Sequence, residues 1–255
     1  MKKHFAILSL LCWFTIGLFA NNQSLAKEYF EQGNTFYTNG DYQSALQSYQ
    51  SADSLGVISP ELYYNLGNTY YKLQNYPLAI YYYKKALKYN PGDKSARQNL
   101  ELARSKTIDK FEVLPQSLFT KMWNKLLLLT TAQNWTYIAL GFLFLAFAGF
   151  VLYRFGQSVT VKRLYFILGI SLFTLSLLAA FFGYENEKYF SQNKEAVVVA
   201  PTIDVYSEPA HKGSKLFTIH EGVEVTVQEE LNGYVKIKLP NDKTGWIDKK
   251  YLMIV

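Results

Sequence analysis

Residues 26–59, AKEYFEQGNTFYTNGDYQSALQSYQSADSLGVIS, and residues 60–93, PELYYNLGNTYYKLQNYPLAIYYYKKALKYNPGD, are two copies of one pattern at a period of 34 residues. In register, Tyr29 matches Tyr63, Gly33 matches Gly67, Phe36 matches Tyr70, Ala45 matches Ala79, Tyr49 matches Tyr83 and Ala52 matches Ala86. Tyr63, Leu66, Gly67 and Tyr70 are spaced i, i+3, i+4, i+7, which is one stripe of a helix. Breakers divide each copy, Asn39-Gly40-Asp41 in the first and Asn75-Tyr76-Pro77 in the second. Asp41 reads as an N-cap. Each copy therefore predicts two helices. Gly33 and Gly67 are expected where the second helix crosses the first, facing Ala45 and Ala79.

A period of 34 residues with this order of small and aromatic positions resembles the tetratricopeptide repeat (TPR) signature. Such repeats bind other proteins, so the resemblance implies a scaffold, not an enzyme. Each repeat buries its apolar face only against a neighbour. Lys94–Arg104 starts where a third copy would, with Leu100 at the repeat's Leu position, but Glu101 replaces the Gly. It reads as a capping helix, with repeats and cap together covering 26–105.

In TPR arrays the first helix of each pair lines a groove. By repeat phase the candidate groove positions are Lys27, Phe30, Asn34, Tyr37 and Thr38 in the first copy. In the second they are Glu61, Tyr64, Asn65, Asn68, Tyr71 and Lys72. Amides and rings suit an extended peptide, since amides bond its backbone and rings pack its side chains. Tyr64 and Tyr71 either line the groove or pack between repeats. One TPR class clamps a peptide's C-terminal carboxylate. Asn34 and Asn65 match its asparagines, but its basic positions fall on Phe30, Ser95 and Asn99. An anion there would lack its countercharges.

The chain opens Met1-Lys2-Lys3-His4, followed by an uncharged apolar run from Phe5 to Ala20. That is the pattern of a signal peptide over 1–20, the alternative being an uncleaved signal anchor. The one cysteine, Cys12, falls inside it, so a mature chain would have no thiol chemistry, disulfide or cysteine metal site. Farther on, Leu126–Tyr153 and Leu164–Tyr184 carry no charge. Each is long enough to cross ~30 Å of hydrocarbon at ~1.5 Å per residue. The loop 154–163 holds Arg154, Lys162 and Arg163 and no acid, which predicts a cytoplasmic loop. Both soluble parts are then expected on the outer side of a bacterial inner membrane. Leu126–Thr131 reads as an interfacial helix leading into the first span. Gly141, Gly149 and Gly169 are candidates for close helix packing. Neither span holds an Asp, Glu, Lys, Arg or His, which argues against transport or proton relay.

From Ala196 the pattern changes to short strands. Ala196–Ala200 is a continuous apolar run, Val223, Val225 and Val227 alternate, and Val235, Ile237 and Leu239 alternate against Tyr234, Lys236 and Lys238. Turns fall at Glu221-Gly222, Leu231-Asn232-Gly233 and Pro240-Asn241-Asp242. The series Val205-Tyr206-Ser207-Glu208-Pro209, His220-Glu221-Gly222, Asn232-Gly233-Tyr234-Val235 and Thr244-Gly245-Trp246-Ile247 resembles a bacterial SH3-like domain over 195–255. The resemblance implies a small barrel that binds cell-wall peptides or proteins, with Tyr234 and Trp246 as the candidate ligand site.

The fold class expected is therefore multi-domain: all-α TPR repeats, a two-helix transmembrane hairpin and a small all-β SH3-like barrel. This order of parts resembles the BatE family of aerotolerance operons. That resemblance implies a non-catalytic membrane scaffold acting with MoxR-type ATPases and von Willebrand factor A-domain membrane proteins. The other reading is a peptidoglycan-binding envelope protein held through its SH3-like tail. No cofactor or metal is expected, and no catalytic residue. His211 and His220 lack the neighbours for a metal triad or nucleophile–base pair, and His220 reads as a surface residue. The net charge of +6 is spread along the chain and forms no basic stripe for nucleic acid. The expected partners are proteins, the lipid bilayer and, in the second reading, peptidoglycan.

Overall fold

The computed structural model describes residues 22–111, 117–211 and 213–255. The expected signal peptide and Cys12 lie outside these residues. Five helices come first: α1 (22–38), α2 (Tyr42–Ser54), α3 (Pro60–Lys72), α4 (Tyr76–Tyr89) and α5 (Lys94–Ser105). Their starts are encoded locally. Asp41, Ser59, Asn75 and Asp93 each accept a hydrogen bond from the backbone N–H three residues on. Asp41 and Asn75 are one period apart, as are Ser59 and Asp93.

The helix crossings differ from expectation in one respect. A Cβ on Gly33 would lie 2.5 Å from the Tyr49 ring, and one on Gly67 would lie 2.6 Å from the Tyr83 ring. Each glycine makes room for a tyrosine, not for Ala45 or Ala79, which are fully buried in the same core. The reason is side-chain direction. A helical side chain leans toward the N-terminus, so the tyrosine one turn after the alanine covers the alanine's level. Tyr63, Tyr70, Tyr81 and Tyr82 join this core. Tyr70 and Tyr82 stack with centroids 5.4 Å apart.

Next come α6 (Leu118–Leu127), α7 (Ala132–Phe155) and α8 (Val159–Gln192). The last two form an antiparallel hairpin closed by Gly156, Gln157 and Ser158. Both are long and apolar enough to cross a membrane. Their apolar side chains point outward, with Phe144 72% and Phe147 69% exposed. A soluble core would bury such residues, whereas surrounding lipid accepts them. The helices touch at Gly149 and Gly169, where a Cβ on the first would lie 3.3 Å from the backbone of the second. Gly141 has open space around it and makes no such crossing. Ser176 Oγ donates across the pair to the Ala139 carbonyl at 2.8 Å.

The C-terminal module is a seven-stranded antiparallel sheet in the order β3-β2-β6-β5-β4-β1-β7. Its strands are β1 (Lys194–Val198), β2 (Thr202–Tyr206), β3 (Lys215–His220), β4 (Glu224–Leu231), β5 (Tyr234–Lys238), β6 (Thr244–Asp248) and β7 (Leu252–Ile254). Ala196, Val198, Val205, Val225, Val235, Ile237 and Ile247 point into its core. Asn193 alone separates α8 from β1, so the second apolar helix leads directly into the sheet.

Candidate functional site

The groove side of the repeats is built from a bonded unit that occurs twice. Tyr49 donates its hydroxyl to Asn34 Oδ1 at 2.8 Å, and Asn65 Nδ2 donates to the same oxygen at 2.9 Å. One period later Tyr83 donates to Asn68 Oδ1 at 2.8 Å, and Asn99 Nδ2 donates to it at 2.9 Å. Burial pushes the Tyr49 hydroxyl up to about 12 and raises Tyr83 as well, so both phenols stay protonated and act as donors. The oxygens of Asn34 and Asn68 are therefore already in use. Their Nδ2 groups make no hydrogen bond among the described residues, which leaves them as donors for an incoming carbonyl.

The rings repeat too. Phe30 lies 5.9 Å from Tyr49, and Tyr64 lies 6.1 Å from Tyr83. Tyr37 meets Tyr42 edge-on at 5.2 Å, and Tyr71 meets Tyr76 likewise at 5.6 Å. Tyr64 and Tyr71 thus pack within the repeat pair and stay half-exposed. The candidate residues divide between two clefts. Tyr37, Asn68, Tyr71 and Lys72 line one, together with Tyr83, Asn99 and Leu102. Lys27, Phe30 and Glu61 line another, toward the chain's start. Asn34 and Asn65 are bonded to each other. Sequence reasoning places Asn99 only as a failed clamp position. Its signal is nonetheless present, since Asn99 is Asn65 plus one period, and it gives α5 the bonding role of a further first helix.

On the sheet, the cross-strand row Tyr206, Trp246, Lys236 and Glu229 runs over the face opposite the core. Tyr234 pairs with Asp248 one step along. Tyr234 and Trp246 are thus diagonal neighbours on adjacent strands, within reach of one ligand.

A third feature has no counterpart in the motifs. The SH3-like module docks on α4 and α5 through a half-buried ion cluster centred on Glu224. Arg104 grips Glu224 with a two-bond fork, Nε to Oε1 at 2.6 Å and Nη2 to Oε2 at 2.7 Å. Lys84 Nζ reaches Glu224 at 2.5 Å and Glu195 at 2.8 Å. Burial would raise the Glu224 carboxyl, but the Arg104 bonds and the Lys84 and Arg104 charges outweigh it and lower it to about 2. Around the cluster, Val197, Met253 and Val255 pack into the repeat core, and Lys88 Nζ donates to the Val255 carbonyl at 2.9 Å. Gly222 sits at φ +82° and brings its turn against Thr107 and Ile80 of the helical module. His220 is not a free surface residue, contrary to expectation. Its backbone N–H and ring Nδ1 both meet the Asp109 carboxylate, at 2.7 and 3.0 Å. The cause is the docking itself, which brings the end of β3 onto the segment after α5.

The comparisons with known proteins agree with these parts. Residues 60–93 match the tetratricopeptide repeat family and residues 33–74 a second TPR repeat family. Residues 201–253 match the bacterial SH3 domain family. No curated protein matches the chain. The molecule therefore combines TPR repeats, two long apolar helices and an SH3-like sheet. Both domain types are typically non-catalytic modules for binding proteins or peptidoglycan, and the bacterial SH3 domain suggests an envelope location.

Proposed function

We propose that this chain is an inner-membrane scaffold that presents its TPR groove and SH3-like face together in the periplasm. The observation that carries the reading is the docked pair of modules. The hairpin of α7 and α8 brings the chain back, and the two modules join through Glu224 while the cleft of Tyr37, Asn68 and Tyr71 stays open among the described residues. Joined modules must share one side of any membrane that the hairpin crosses. Arg154, Lys162 and Arg163 at the opposite end support a cytoplasmic position for that end. In the groove, Nδ2 of Asn34 and Asn68 would bond the carbonyls of an extended protein segment. The architecture's resemblance to the BatE family makes von Willebrand factor A-domain membrane proteins and MoxR-type ATPases the first partners to test.

Crosslinking in intact membranes followed by pull-down tests the scaffold. A groove variant that folds and still captures every partner at wild-type yield would rule out the groove. Topology is tested by phosphatase fusions, which should be active after residues 110 and 255 and inactive within 156–161. An inactive C-terminal fusion overturns the orientation.

A second reading is favoured by the aromatic row on the sheet. Tyr234 and Trp246, diagonal neighbours on adjacent strands, offer stacking surface that suits the side chains of a wall peptide. Co-sedimentation with purified peptidoglycan decides it. Binding lost on Trp246→Ala, with the groove intact, would support this reading.

A further inference from the structure

Helix α6 carries an apolar arc that the described residues leave bare. Leu118, Phe119, Met122 and Leu126 are 80%, 77%, 72% and 43% exposed. At 3.6 residues per turn these four lie within roughly 100° of one another. The adjoining part of the same arc is turned inward. Trp123 packs 6.2 Å from the Phe181 ring and 5.7 Å from Phe182, and Leu127 is buried. The rest of the circumference holds Thr120, Lys121, Asn124 and Lys125, with no acid.

The contacts fix the height of this helix. Phe181 and Phe182 belong to the last turn of the charge-free run that ends at Tyr184. Just beyond it, buried Asn186 donates from Nδ2 to the carbonyls of Leu127 at 2.8 Å and Thr130 at 3.2 Å. Trp135 Nε1 also reaches the Leu127 carbonyl at 3.4 Å. The end of α6 is thus pinned to the soluble-module end of the hairpin. Its inward side packs on α8, whose remaining apolar side chains at this level, such as Leu177 and Leu178, point outward.

Resting on the reading of α7 and α8 as membrane spans, we propose that α6 seats its bare arc in the bilayer surface, with Lys121 and Lys125 on the phosphates of anionic phospholipids. An amphipathic helix at headgroup depth, lysine-flanked and acid-free, fits that occupant better than a protein surface does. Leu126–Thr131, the stretch expected to be interfacial, is instead the end of this helix and its turn into α7. The consequence reaches the binding modules. Leu128 in that turn lines a cleft with Lys88, Tyr189 and Glu195, so the docked TPR and SH3-like unit stands directly on the lipid-seated element.

The test uses the full-length chain with Cys12→Ser, carrying one fluorophore on an introduced cysteine. It is reconstituted in vesicles of phosphatidylethanolamine and phosphatidylglycerol with brominated acyl chains. Met122→Cys is the bare-arc position, Thr120→Cys the polar one and Phe144→Cys the span control. Bromine should quench the Met122 and Phe144 probes several-fold more than the Thr120 probe, and aqueous iodide should do the reverse. If Phe144 is quenched by lipid while Met122 is reached by iodide, the interfacial helix is wrong and the spans stand. The interfacial helix is equally wrong if Met122 is shielded from both quenchers, as a protein or a second copy covering it would cause. If Phe144 is not quenched by lipid, the spans fail and this inference falls with them. Lys121→Gln with Lys125→Gln should lower lipid quenching at Met122 in the anionic vesicles only. An equal loss in all-zwitterionic vesicles would overturn the preference for anionic lipid.

Discussion

The TPR module has two working faces built on opposite physical principles. Its groove is built round a neutral unit of amides and phenols, the tyrosine and asparagine bonds to one Asn oxygen, which occurs twice at the repeat spacing. Its docking face is charged, made of Lys84, Arg104 and the Glu224 that meets them, and each bond there occurs once. A neutral hydrogen-bonded face loses little when it meets or leaves water. A partly buried ion cluster depends on its shared member, because a charge that loses its partner inside is costly. On the proposed reading the groove can exchange partners, while the docking face holds the SH3-like module.

The largest test of that contrast is Glu224→Ala. It removes the carboxylate that Arg104 and Lys84 share, leaving Lys84 with Glu195 and Arg104 with Glu101, so the expected cost lies below the about 3–5 kcal/mol of a fully buried pair that loses one partner. In the full chain, hydrogen exchange should lose protection along β1 and at the α4 contact, while the groove bonds keep theirs. Unchanged protection at β1 would show that the apolar contacts of Val197 and Met253 suffice. Acid gives the same test without mutation. The Glu224 carboxyl is held at about 2 in the docked state against an ordinary 4.5. A depressed folded value means the stabilisation is full above about pH 4.5 and is lost as pH falls through 2. Docking followed by exchange across that window should therefore persist below pH 4.5. Release already at pH 5 would mean that another group controls the interface.

Gly67→Leu probes the repeat core that carries both faces. The Tyr83 ring occupies the space a side chain would need, and overpacking of this kind costs about 1–3 kcal/mol. Thermal melting by circular dichroism should show a lowered first transition, with the proposed groove disturbed because Tyr83 also bonds Asn68. A variant that melts like wild type would show that the ring can swing away freely.

The contrast also explains what the chain reveals before it is folded. Features that recur locally are legible. The period places four helices, Asp41 announces its cap, and alternation at Val235 and Ile237 announces a strand. The crossing partner of Gly33 is misassigned because spacing identifies which helix crosses but not which side chain reaches back over it. The docking face escapes because Glu224 and Arg104 are 120 residues apart and pair only once. One trace of it does lie in the sequence. Ala196, Val197 and Val198 form an unbroken apolar run, whereas a strand with one wet face would alternate. Ala196 and Val198 fill the sheet's core while Val197 fills the repeat core, so both faces are buried. His220 escapes for the same reason, its partner Asp109 being set by docking and not by neighbours.

The smallest expected effect sharpens the other side of the comparison. Asn34 and Asn68 would be expendable to folding if they were free groove amides, but each oxygen holds a tyrosine and an asparagine. Asn34→Ala with Asn68→Ala should therefore cost stability, about 1–2 kcal/mol per site, because two donors lose their acceptor. Tyr49→Phe with Tyr83→Phe separates this from binding. It removes the tyrosine donor at each site, keeps the rings, the Asn65 and Asn99 donors and the free Nδ2 groups of Asn34 and Asn68, and should cost only about 0.5–1.5 kcal/mol per site. Pull-down from membranes should show partner capture weakened by the asparagine pair and retained by the tyrosine pair, with both variants checked by melting. If the tyrosine pair abolishes capture as fully as the asparagine pair, orientation of the amides matters more than their free donors, and the phenols belong to the recognition unit. If neither pair alters capture in a folded chain, the groove is not the recruiting surface, and Tyr234 and Trp246 on the sheet become the residues to change.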